Sequence, residues 1–66
     1  MDIPTKIHVT SDNSELELVR TEKDKKSGEE VYVYKFIKSR EKLGLEFKLT
    51  KRELVHQMHN FFEEIE

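Results

Sequence analysis

Large apolar residues alternate with polar ones at period two in four stretches of the chain, the mark of half-buried strands. The first covers about residues 6–10, with Ile7 and Val9 inward. The second covers about 15–21, with Leu16 and Leu18 inward, and the third about 31–38. The fourth covers about 43–49, with Leu43, Leu45, Phe47 and Leu49 inward and Glu46 and Lys48 outward. Ser-Asp-Asn-Ser, a Lys-rich stretch between Thr21 and Glu30, and residues 40–42 supply the polar turns.

The period then changes. Leu54, Val55, Met58, Phe61, Phe62 and Ile65 follow helical spacing and fall within about a 120° arc, the stripe of a helix packed on a core. Thr50 and Glu53 form a capping box, which starts that helix directly after the fourth strand. With no loop between them, the helix must fold back over one face of the sheet. The expected fold is α+β, a four-stranded antiparallel β-meander with one C-terminal α-helix packed across one face, in a single domain over 1–66.

The third strand offers two faces. Val31, Val33, Lys35 and Ile37 lie on one, and Tyr32, Tyr34, Phe36 and Lys38 on the other. A one-residue slip exchanges them, so register decides. Pairing Val9 with Leu16, Leu18 with Tyr34, and Tyr34 with Phe47 sorts both faces at once. The tyrosines then face the helix, and the open side gains a row His8–Glu17–Lys35–Glu46 in which Glu–Lys–Glu alternates in sign. On that open side Val19 and Val33 are expected to be neighbours.

Composition narrows the functional classes. Sixty-six residues permit one domain with a thin stability margin. The chain has no alanine, and every apolar residue in it is large. There is no cysteine, so disulfides and thiolate metal sites are excluded. The N-terminus carries no apolar run of a signal peptide, no stretch reads as a membrane span, and a cytoplasmic location is expected. The net charge is −2, with a basic middle over 35–53 between acidic ends.

No catalytic residues, cofactor or small-molecule substrate is indicated. The serines have no His–acid partners implied by spacing, and the two glycines are isolated rather than grouped in a phosphate loop. His56, His59 and Glu63 would project together from a helix, but three exposed groups lack a fourth ligand and a supporting shell, and a solvated face is the simpler account. No metal is therefore assigned.

Two binding surfaces compete. The open sheet face, with Val19, Val31, Val33, Lys35 and Ile37, together with the two unpaired edge strands, suits a protein partner or a second copy. The alternative is single-stranded nucleic acid, held by Lys35, Lys38, Arg40, Lys48 and Arg52 with Tyr32 and Tyr34 as stacking platforms. It requires the opposite register of strand three, and the acidic ends count against it.

Gly44–Leu54, Gly-Leu-Glu-Phe-Lys-Leu-Thr-Lys-Arg-Glu-Leu, resembles the last-strand-to-helix exit of the positive cofactor four family of transcriptional coactivator domains. The resemblance implies four antiparallel strands and a helix, dimerisation, and single-stranded DNA binding, and carries over no base-stacking residue. The primary expectation from the residues is a non-enzymatic protein-interaction module, self-associating through its open sheet face or edges.

Overall fold

The computed structural model describes residues 3–65. Its elements are β1 (Lys6–Val9), β2 (Glu15–Lys23), β3 (Glu30–Lys38), β4 (Glu46–Thr50), α1 (Lys51–Asn60) and β5 (Phe62–Glu64). All pairings are antiparallel, and the strand order is β4-β3-β2-β1-β5. The α+β class and the antiparallel meander are as the sequence predicts, but the sheet has five strands rather than four.

The fifth strand replaces the expected last turn of the helix. α1 ends at Asn60, where the Phe61 N–H donates to the Gln57 carbonyl at 2.7 Å. The chain then straightens against β1, whose outer edge would otherwise be bare. Thr10 N–H donates to the Phe61 carbonyl at 2.9 Å and Ile65 N–H to the Lys6 carbonyl at 3.0 Å. Adjacent Phe61 and Phe62 would both have packed inward on a broad helical stripe. On a strand they part, and Phe62 is buried while Phe61 is half exposed.

Register is right between β3 and β4 and over Leu16–Leu18 of β2, and shifted elsewhere. Leu16↔Phe36, Leu18↔Tyr34, Tyr34↔Phe47 and Lys35↔Glu46 all pair as expected. Between β1 and β2 the pairs are Ile7↔Leu16 and His8↔Glu15, a slip of two that preserves the faces. The turn explains it. Asn13 sits at φ 60°, and the Val9 N–H donates to the Ser14 carbonyl at 2.8 Å. The Asp12 carboxylate accepts from both the Ser14 N–H (3.0 Å) and hydroxyl (2.6 Å), which lets Ser14 be buried. Lys6, not His8, therefore faces Glu17, and the row Lys6–Glu17–Lys35–Glu46 alternates in sign along its whole length.

The core lies between α1 and the sheet. It comprises Ile7, Leu16, Tyr32, Tyr34, Phe36, Leu49, Leu54 and Phe62, bordered by Ile3, Val9, Leu18 and Met58. Tyr34 is its largest fully buried side chain. Its hydroxyl donates to the Pro4 carbonyl at 2.7 Å, and burial pushes its pKa up to about 12, so it stays a donor. The capping box is formed as predicted, with Thr50 Oγ1 accepting from Glu53 N–H and the Glu53 carboxylate accepting from Thr50 N–H.

Besides Phe61, three sheet residues expected in this core are not in it. Leu43, Leu45 and Phe47 are 67%, 56% and 37% exposed. β4 begins only at Glu46, and α1, ten residues and thus about 15 Å long, is shorter than the roughly 19 Å spanned by five strands. It also runs diagonally. It leaves β4 at Thr50, opposite Val31 at the start of β3, and delivers Phe62 to Val9 at the opposite corner of the sheet. The corner where β4 begins stays bare.

Candidate interaction surfaces

The open sheet face is organised by a bulge. Pairing shifts between Leu18 and Arg20, so that Arg20 rather than Val19 faces Val33. The shift turns Arg20 and Glu22 onto the open face beside Val33 and Val31. From there the Arg20 guanidinium reaches across β3 and donates to both carboxylate oxygens of Glu46, at 2.8 and 2.9 Å. Its Nε donates to Glu22 at 2.7 Å, and Lys48 Nζ donates to the other Glu22 oxygen at 3.2 Å. Hydrogen bonds from Arg20 hold the carboxyl groups of Glu46 and Glu22 below their ordinary pKa, with Lys48 adding to the effect on Glu22. The same bonds raise the pKa of Arg20.

This ion network straddles β3 and closes over Val33, which is 0% exposed. Val33 is therefore not available as a contact centre. Of the other residues expected on that surface, Val19 and Ile37 are about two-fifths exposed, Lys35 is exposed and Val31 is half-buried. What remains is a charged face with separated apolar points rather than a continuous valine patch.

The basic residues of the nucleic-acid alternative come together only in pairs, Lys38 with Arg40 and Lys48 with Arg52. Tyr32 and Tyr34 are buried under α1, so neither offers a ring face to a base. Lys35 and Lys48 lie on the open side. Lys38 pairs with Glu15 at 3.6 Å, Arg40 sits in the β3–β4 turn, and Arg52 projects from the first turn of α1 into a groove between β4 and α1, which Lys48 also borders. The His56, His59 and Glu63 grouping is also divided, because Glu63 lies on β5 rather than on the helix. Among the described residues no cluster suited to a metal ion occurs.

The surface that alternation alone does not reveal is the bare corner of the helix side. Leu45 and Phe47 lie exposed beside Phe36, and Leu43 lies exposed in the turn before them; the Phe36 ring meets that of Phe47 edge-on at 6.5 Å and lies 5.5 Å from the Lys42 ammonium. Gly44, at φ 86°, makes the turn into β4, with its N–H donating to the Phe36 carbonyl at 2.9 Å. Beside the strip, a groove of about 550 Å³ runs between β4 and α1, lined by Phe47, Lys48, Leu49, Arg52, Glu53, His56 and Gln57. The signal for this surface was present in the sequence as a surplus, more large inward-facing residues than a helix of three turns can cover.

No known protein family, curated protein or solved structure matches this chain. The resemblance of Gly44–Leu54 to the coactivator domains therefore rests on that segment alone. Among the described residues no helix is long and apolar enough to cross a membrane.

Proposed function

We propose that this chain is a non-enzymatic protein-interaction module whose contact surface is the β4 edge and the apolar corner beside it. One observation carries the proposal: Leu45 and Phe47, entering an edge strand, are left exposed on the side that elsewhere forms the core, with Leu43 exposed in the turn just before them. Contiguous exposed apolar side chains rimmed by polar groups mark association surfaces. Beside them the edge strand presents unpaired backbone groups, to which another strand can add. Two features count against nucleic acid: the helix lies over Tyr32 and Tyr34, and the carboxylates of Glu22 and Glu46 stand among the cations of the open face.

Selection from a displayed library of random extended peptides tests this. Enriched peptides are expected to shift the amide resonances of residues 43–49 and to lose binding at least tenfold to Leu45→Asp, with the thermal midpoint unchanged. Peptides that map instead to Val19, Lys35 and Ile37, or no enrichment at all, would overturn it. A random-sequence single-stranded oligonucleotide is expected to move nothing at low salt. Salt-sensitive shifts over 31–52 would favour nucleic acid instead.

A further inference from the structure

We infer that the partner of the β4 edge is a second copy of this chain, joined β4 to β4 about a two-fold axis at Phe47. The inference rests on the interaction surface proposed above and adds its occupant and register. Phe36 N–H donates to the Leu45 carbonyl at 2.9 Å, so Leu45 points its carbonyl at β3. By the period of an antiparallel ladder Phe47 and Leu49 point their backbone groups the same way, and Glu46, Lys48 and Thr50 turn theirs outward. The Thr50 N–H is already taken by the Glu53 carboxylate at 3.0 Å. The open donors and acceptors of this edge are thus those of Glu46 and Lys48.

Two residues separated by one are what a two-fold strand pair needs. With the axis at Phe47, Glu46 of one copy lies opposite Lys48 of the other, in the hydrogen-bonded position, and each pair can exchange two main-chain bonds. Side chains are then complementary on both faces at once. On the open side, Glu46 meets Lys48 twice by symmetry. Because Glu46 holds Arg20 and Lys48 holds Glu22, the pairs join into an alternating line of charge, Arg20–Glu46 followed by the other copy's Lys48 and Glu22. On the helix side, Phe47 meets its own image, and Leu45, more than half exposed, comes opposite Leu49 at the mouth of the groove between β4 and α1.

The opposite edge of the sheet lacks this match. Thr10 N–H donates to Phe61 O and Ile65 N–H to Lys6 O, so Phe62 and Glu64 face outward from β5. The corresponding two-fold pairing there would centre on Glu63 and set two carboxylates against each other, which is unfavourable across a strand pair. The structure thus assigns self-pairing to one edge and not the other.

Sedimentation equilibrium and amide hydrogen exchange on the full chain test the inference. A dimer at high micromolar concentration is expected, with the Glu46 and Lys48 amides becoming protected as concentration rises. Glu46→Lys and Lys48→Glu each place like charges opposite each other in a homodimer and should weaken it by roughly tenfold. An equimolar mixture restores opposite charges at both pairs and should recover association. A monomer throughout the concentration range overturns the inference. So does a dimer whose Glu46 and Lys48 amides stay unprotected, or variants that fail to complement. If either variant does not fold, the concentration dependence of wild-type exchange decides. A monomer that still binds peptides through 43–49 removes only the second copy. A monomer whose strip binds nothing removes the proposed function as well.

Discussion

Leu49 and Phe47 lie two residues apart on β4 and face the same side, yet one is 3% exposed and the other 37%. Beneath α1, the strand is part of the core. Beyond it, Leu45 carries the alternation on with nothing on top, and Leu43 lies exposed in the turn that Gly44 makes. The other side of β3 repeats the contrast with a different cover. Val33 is closed over by the Arg20, Glu22, Glu46 and Lys48 network, while Ile37, beyond its reach, is 39% exposed. In a domain this small, burial is decided by how far each cover extends, not by the hydrophobicity of the position.

The largest test of that contrast compares two leucines. Leu54 is fully buried in the first turn of α1, and Leu54→Ala should cost about 2–5 kcal/mol, enough to unfold much of a chain of this size. Leu45→Ala should cost less than about 0.5 kcal/mol. Urea unfolding monitored by circular dichroism, at a concentration low enough to suppress association, measures both. Equal effects would mean that the bare corner is covered in solution.

Val33 and Ile37 sharpen the comparison on the open side. Removing two buried methyl groups in Val33→Ala should cost about 1.5 kcal/mol. Ile37→Ala, at a site already in water, should cost less than about 0.5 kcal/mol. If the order were reversed, the ion network would be no cover at all. Smaller than the Val33 effect is that of loosening the helical cover at its origin. Thr50→Ala removes the acceptor for Glu53 N–H and should cost about 1 kcal/mol, visible as a lower urea midpoint with an unchanged slope.

Much of this fold is legible in the residues, for physical reasons that also mark the limit. Around β3 the alternating large and charged positions leave one register that satisfies both faces, so Tyr34↔Phe47 and Lys35↔Glu46 follow from parity. The capping box follows from two side chains three positions apart in a local motif. What escapes is set at longer range. Phe61 and Phe62 fit a helical stripe until the bare edge of β1 is there to receive a strand. Val19 and Arg20 carry no sign of a bulge, because no glycine or proline marks it. That displacement of one residue is what closes Val33 and disqualifies it as a contact. The exposure of Leu43, Leu45 and Phe47 depends on the diagonal of α1, which no local pattern encodes.

The smallest expected effect separates the two covers by pH. Hydrogen bonds from Arg20 lower the pKa of both Glu22 and Glu46 in the folded chain. A carboxylate whose folded pKa is depressed adds stability that is present above its unfolded pKa and lost as pH falls through the folded value. The open-side cover should therefore weaken as pH drops below the ordinary carboxylate range, whereas the helical cover over Leu49 rests on apolar contact. All four side chains are well exposed, so screening keeps the effect modest and it should shrink further with added salt. Amide exchange around Val33 is expected to speed up on acidification, after correction for intrinsic rates, more than exchange around Leu49 and Leu54. In Arg20→Gln that difference should largely vanish. Equal acceleration on both sides would show that the ion pairs do not act as a separate cover, and that Val33 is held by the strand pairing alone.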